Sequence, residues 1–322
     1  MQHWLVGLQA ALIVTCARLS AGAQDGGEVE MERKLATTRD GGTTEVVAHR
    51  GASAYAPENT LAAFQLAAEM GAEWFELDTH LSADGVPVVI HDGTLERTTD
   101  TEGSVEGLTV AQIRQIDVGS KKGPEFAGER IPLLSEALAF AWRRIGVYIE
   151  LKSAAGGELG GRSPLEAVRE VLAVYPNLDQ LEEGPFRTAC EREAALVQAV
   201  VRDIRATDSA ADVLIQSFSP IVCAIARREA PEIPVALLGA GYEEDAAWEA
   251  FVGIGRAMDV DSFSVDMKSL SETRIQTLHD EGYGVAVYTI NDEAAMARLV
   301  GWGADRIITD RPDACLKVTR GE

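Results

Sequence analysis

A (β/α)8 barrel of the α/β class is the fold this chain predicts, and three observations predict it. From residue 45 onward, short apolar runs alternate with amphipathic helical patterns. Several runs are continuous and β-branched, as in parallel strands buried on both faces. No Gly-x-Gly-x-x-Gly follows the first run, and polar residues sit at the ends of several different runs. Both features favour a barrel over a doubly wound sheet. The length, 322 residues, accommodates one barrel of about 250 residues with extensions.

The elements follow in chain order. Residues 4–17 are apolar and almost uncharged, and Ala21-Gly22-Ala23 follows them. That pattern predicts a signal peptide over 1–23 and a secreted or periplasmic mature chain without a stable membrane span. Residues 24–44 are polar and Gly-rich and read as a linker. The barrel occupies 45–318, with strands expected at 46–48, 73–81, 86–90, 147–151, 213–218, 235–238, 262–265, 285–289 and 307–309. Helices are expected at 59–70, 132–143, 164–174, 187–205, 271–281 and 292–301. Pro87 must open its strand or mark a bulge. The stretch 153–212 exceeds a usual barrel crossover and reads as an elaborated segment beside the site, in a position to act as a lid.

Composition narrows the function. A hydrophobic fraction of 46% supports a sizeable core and excludes a disordered chain. Lys+Arg 29 against Asp+Glu 51 leaves −22, which argues against nucleic acid as a partner. An anionic substrate would therefore need local cations at its site. Without residues 1–23, three cysteines remain, Cys190, Cys223 and Cys315, so at most one internal disulfide can form. No Cys-x-x-Cys pair supports structural zinc.

Of five histidines, His49, His80 and His91 fall close together. His49 follows the strand 46–48 and His91 the strand 86–90, so both stand at strand ends, where barrel active sites are built. Two imidazoles there can supply a general base and a general acid. Glu76 and Asp78, two apart on one strand, leave the same face, and their mutual repulsion calls for a hard divalent cation, Ca²⁺ or Mg²⁺. Glu150 and Lys152 repeat the spacing: Glu150 can complete the carboxylate set, and Lys152 can meet an anion bound there. Arg50 adds a bidentate phosphate donor at the same rim. Together these residues describe metal-assisted phosphoryl chemistry. Glu58 and Asn59 read as the start of the first helix, His80 as a structural histidine and His279 as a surface one. Phe218, Trp248, Met267 and Tyr288 are candidates for an alcohol pocket or for core packing.

The chain resembles the glycerophosphodiester phosphodiesterases. The resemblance rests on His49-Arg50-Gly51, Pro57-Glu58-Asn59-Thr60, Glu76-x-Asp78, Asp84-Gly85, His91-Asp92 and Arg97-Thr98-Thr99. It continues through Ile149-Glu150-Leu151-Lys152, Ser217-Phe218, Tyr288-Thr289-Ile290-Asn291 and Ile308-Thr309-Asp310-Arg311-Pro312, and it spans roughly 46–313. Tyr288 departs from the family's commoner Trp. The resemblance implies a barrel of the phospholipase C-like phosphodiesterase type. It also implies hydrolysis of glycerophosphodiesters to an alcohol and sn-glycerol 3-phosphate with one divalent cation, Ca²⁺ or Mg²⁺. By position His49 and His91 become the acid/base pair, Glu76, Asp78 and Glu150 the metal ligands, and Arg50 and Lys152 the phosphate contacts. A phospholipase D-like enzyme of the lysophospholipase D or sphingomyelinase D type is the rival on the same barrel, and it needs an apolar rim from Trp248, Phe251 or the 153–212 helices. A non-catalytic phosphodiester-binding module is the rival of another class, and the complete set of five candidate residues argues against it.

Overall fold

A computed structural model describes residues 42–153, 159–208 and 212–321 of the chain. The expected signal peptide and nearly all of the linker lie outside the described residues. Eight parallel strands form the barrel: β1 (Glu45–Ala48), β2 (Trp74–Leu81), β4 (Gly146–Leu151), β5 (Val213–Ser217), β6 (Val235–Gly239), β7 (Ser262–Asp266), β8 (Gly284–Tyr288) and β9 (Arg306–Thr309). Each pairs with the next, and β1 closes the cylinder by pairing with both β2 and β9. Side-chain alternation sorts the strands into two layers. Val47, Tyr148, Leu214, Ala236, Ala286 and Ile308 meet in the barrel interior. Their strand neighbours, among them Val46, Phe75, Val147, Ile149, Leu237 and Ile307, belong to the larger core under the helices. The lower end of the interior is plugged by Arg306, whose guanidinium lies 4.9 Å from the Trp74 ring centre and whose Nε donates to Glu45 (2.7 Å).

Besides a single turn at Val110–Ile113, the helices of the described residues are α1 (Leu61–Met70), α2 (Leu134–Ala141), α3 (Pro164–Val174), α4 (Pro185–Ala206), α5 (Pro220–Glu229), α6 (Asp245–Met258), α7 (Glu272–Asp280), α8 (Glu293–Trp302) and α9 (Pro312–Arg320). Side-chain caps start several of them: Thr60 accepts from the Ala63 amide, Ser219 from Val222 and Asp292 from Ala295. Helices α5, α6 and α9 are additions to the sequence reading.

Two expectations are corrected. The run at 86–90 is not a barrel strand. β3 (Pro87–Val89) pairs antiparallel with β2, as the return arm of a hairpin in which β2 outruns the rim. Pro87 is its first residue, where the missing N–H is tolerated. The 153–212 segment does hold an additional helix, yet its two helices are not a cover over the site. Eleven residues of α4 are buried, and α3 and α4 pack against α5 as part of the outer layer. What stands on the rim is residues 90–131, which close a small core of their own around Ile90, Leu95, Val105, Ile113 and Ile131. Cys190, Cys223 and Cys315 are all free and buried.

Candidate active site

The site is built from the inward parity of the strands. Glu76 and Asp78 on β2 and Glu150 on β4 continue upward the column that begins with Trp74 and Tyr148. All three are buried, and one carboxylate oxygen of each lies within 4.8 Å of the others. Burial first, and then Asp78 and Glu150, push the Glu76 carboxyl well above the usual carboxylate range. Burial and Asp78, opposed by Lys152, push Glu150 up to about 7. Burial would raise Asp78 too, but Lys152 and Arg50 outweigh it and hold that carboxyl far below its ordinary value. Lys152 Nζ lies 2.8 Å from Asp78 Oδ1, a charge contact off the hydrogen-bond axis, and 2.5 Å from Glu150 Oε1. Asn59 grips Asp78 twice, by Nδ2 to Oδ2 (2.7 Å) and by Oδ1 to the Asp78 amide (3.2 Å). Thr60, not Glu58 or Asn59, caps α1.

Three buried carboxylates held this close, two of them pushed toward the neutral form, make a donor set that suits a hard divalent cation. Lys152 and Arg50 compensate only part of their charge. The residues present therefore fit the metal that the sequence implies.

The chain turn after β1 delivers one of the two cations, Arg50, and the first imidazole, while Lys152 follows β4. Gly51, at φ +79°, packs so tightly that a Cβ there would lie 2.6 Å from the Ala63 backbone, and Arg50 before it is also left-handed (φ 55°). This left-handed pair, with its strain at Arg50, aims the Arg50 amide at Glu76 Oε2 (3.0 Å) and brings Arg50 Nε to 3.3 Å from Asp78 Oδ2.

Both catalytic candidates are anchored in the same way. His49 Nδ1 lies 2.6 Å from Asp310 Oδ1, and Asp310 also accepts from the Ser53 hydroxyl (3.0 Å) and from Asn291 Nδ2 (2.6 Å). Against burial, these donors hold the Asp310 carboxyl down at about 2. An ionised carboxylate only accepts, so Nδ1 donates and His49 Nε2 is left as the reactive nitrogen. His91 Nδ1 lies 2.7 Å from Asp92 Oδ1; Arg97 donates to Asp92 Oδ2 (2.5 Å) and, through both terminal nitrogens, to Glu58 (2.7 and 2.8 Å). Glu58 also accepts from Arg50 Nη1 (2.9 Å), so one chain of charges ties the two halves of the rim. Burial, aided by Lys152 and Arg50 and opposed by Asp78, lowers the His91 pKa.

His49, Arg50, Glu76, His91, Glu150 and Lys152 line one cavity of about 180 Å³. Asp78 lies beneath it, in contact with Lys152 and Arg50. The far wall carries Gln216, Phe218, Leu238 and Tyr288. His80 is structural: its Nε2 donates to the His91 carbonyl (3.0 Å). Trp248 is buried under Arg274 in the outer layer, and Met267 faces a groove that adjoins the cavity at Tyr288 and Thr289. His279 lies 2.8 Å from the buried Asp305 carboxylate, so it is a partly buried latch rather than a free surface residue. Sequence reasoning assigned no role to Asp310, Asp92, Arg97 or Gln216. All of the first three stand in the motifs quoted above, Asp310 and Asp92 close to strand ends and Arg97 in the rim excursion. Gln216 shares its strand face with Leu214.

The family described as glycerophosphoryl diester phosphodiesterase matches residues 49–314. The chain is 30% identical over 279 residues to a glycerophosphodiester phosphodiesterase of Caldanaerobacter subterraneus, covering 86% of this chain and 98% of that one. It is also 30% identical over 291 residues to one of Bacillus subtilis, covering 85% and 86%. Among solved structures, an Oleispira antarctica phosphodiesterase in complex with the product sn-glycerol-3-phosphate superposes with a TM-score of 0.69 at 28% identity, over 86% of this chain and 97% of that one.

Proposed function

The chain belongs to the glycerophosphoryl diester phosphodiesterase family, and on that premise we propose how its site hydrolyses a glycerophosphodiester to an alcohol and sn-glycerol 3-phosphate. The observation that carries the reading is the convergence on one cavity of two carboxylate-anchored imidazoles, two cations and a buried acidic trio. Arg50 and Lys152 take the non-bridging phosphate oxygens. A substrate hydroxyl next to the phosphate attacks phosphorus. The Nε2 of one imidazole accepts its proton while the other imidazolium gives a proton to the departing alcohol oxygen, and the P–O bond to that alcohol breaks. Water then opens the cyclic phosphate, with the two imidazoles exchanging roles. Asp310 and Asp92 hold the two rings in place, and the Asp92 hydrogen bond favours the charged form of His91. Glu76, Asp78 and Glu150 would hold one divalent cation, Ca²⁺ or Mg²⁺, which supplies electrostatic stabilisation of the phosphate charge when bound.

The small cavity supports a compact substrate. Trp248 and Phe251, which a lipid-facing rim would need, are both buried. In the test, His49→Ala and His91→Ala each lower turnover by about 10²-fold or more while divalent-cation affinity stays the same. Glu76→Ala, Asp78→Ala or Glu150→Ala lose both. Full turnover in excess EDTA, or loss of cation affinity on removing either imidazole, refutes these roles. We further propose export: N-terminal sequencing of protein recovered outside the cytoplasm is expected to begin at Gln24.

A further inference from the structure

The catalytic cavity is divided by charge. Every ionisable acid, lysine, arginine or imidazole lining it comes from the β1, β2–β3 and β4 side. The opposite wall, from β5, β6, β8 and β9, is uncharged, with Phe218 half exposed and set edge-on to Tyr288 at 6.0 Å. Tyr288 has its own hydroxyl engaged, donating to the Gly239 carbonyl (2.9 Å). Gln216 is different. It stands on β5 in register with Glu150, is 2% exposed, and its Oε1 is shut off from solvent with no hydrogen-bond partner. Its Nε2 has no partner either among the described residues. Next to it, the Ser217 hydroxyl donates to the Leu151 carbonyl (2.7 Å), so the strand itself is firmly tied and the loose group is the amide alone.

An unpartnered buried amide destabilises a fold, and one that persists on a cavity wall calls for a ligand. A primary amide both donates and accepts, which matches an alcohol hydroxyl. The wall offers no carboxylate for a cationic group and no cation for a second anion. At about 180 Å³ the space is well below the ~300–1,000 Å³ of drug-sized pockets, so what lies against it is small. We propose that Gln216 is a specificity-determining residue that hydrogen-bonds a hydroxyl of the glycerol half of the substrate, with the carbon skeleton against Phe218 and Tyr288. The inference rests on the glycerophosphodiesterase reading above and adds to it the group that separates a glycerol phosphate from a bare phosphate.

The experiment uses the full chain and Gln216→Met, which keeps length and volume but removes the amide. Calorimetry at saturating Mg²⁺ or Ca²⁺ compares sn-glycerol 3-phosphate with inorganic phosphate, and kinetics separate KM from kcat. The native protein is expected to prefer sn-glycerol 3-phosphate; Gln216→Met weakens that ligand roughly tenfold, leaves phosphate binding within about twofold and raises KM more than it lowers kcat. The melting temperature holds or rises, since no partner is orphaned, whereas a structural amide would lower it. An unchanged preference overturns the proposal. Joint loss of cation and phosphate affinity also overturns it, by making Gln216 a ligand of the metal. A native protein that hydrolyses no glycerophosphodiester overturns the substrate reading beneath it, an outcome distinct from a Gln216→Met that keeps the native preference.

Discussion

Each imidazole of the site owes its competence to a carboxylate, and the two carboxylates differ in how far the sequence reveals them. Asp92 follows His91 directly, whereas Asp310 lies 261 positions from His49 and reaches it only because β9 pairs with β1. A strand-end histidine is legible from local pattern; its partner across the barrel seam is not. Replacing either carboxylate with the isosteric amide tests the arrangement. Asp92→Asn removes a hydrogen bond that raises the His91 pKa, so that pKa falls further and the limb of the kcat/KM profile governed by His91 moves to lower pH. Asp310→Asn also loses the acceptor that fixes the His49 tautomer, and turnover is expected to drop at least tenfold. Substrate KM should move little in both. Profiles unchanged in position and height would show that the carboxylates only fill space.

At the scale of elements, the legible parts were those with a clean period and the misread ones those without. The acidic trio was found because Glu76, Asp78 and Glu150 obey strand alternation. Helix α5 was missed because Ile221–Ala226 is a run of six buried apolar residues that shows no 3.6-residue stripe. Helix α6 carries Gly253 and Gly255, poor helix formers that weaken its pattern; at Gly255 a Cβ would strike the Phe263 ring at 2.4 Å. The apolar run of β3 reads as a barrel strand because it is the same whichever way the strand points. The rim excursion it leads into is braced by Asp117, whose carboxylate accepts from the amides of Gly119, Ser120 and Gly128 (2.7–2.9 Å). Those amide donors, Ser120 and Gly128 foremost, pull Asp117 down to about 2. Its contribution is therefore complete above the unfolded value of about 3.9 and is lost as pH falls through about 2. Lys122 in the same loop donates to the Ser53 and Ala54 carbonyls, next to the Asp310 bracket. Asp117→Ala is expected to speed amide exchange over 118–128 at neutral pH with the barrel strands unaffected. Exchange rates equal to the native ones would remove the brace from this account.

Across the whole molecule, the formal charge of −22 includes three carboxylates buried in the upper interior of the barrel. The fold class was legible because parallel strands advertise burial on both faces, but the energetic consequence of that acidic centre needs the geometry. Glu150, at about 7, and Glu76, also raised, titrate above the roughly 4.3 of a free glutamate. Between those values these two side chains hold more protons in the folded chain without metal than in the unfolded one, so their contribution to stability falls as pH rises through the window, opposed in part by His80 and His91, whose pKa values are lowered. A divalent cation needs the ionised forms and relieves their repulsion, so its stabilising effect grows over the same range. In excess EDTA the melting temperature should therefore decline from pH 5 to pH 8, and saturating Mg²⁺ or Ca²⁺ should raise it more at pH 8 than at pH 5. Glu150→Gln isolates the cause, because the amide removes the titrating proton while keeping the shape. In EDTA its decline should be shallower than that of the native chain, and the cation's gain at pH 8 smaller. A native melting temperature with the same pH slope in EDTA as in saturating cation would mean that the trio neither holds the ion nor sets the acid–base balance of this barrel.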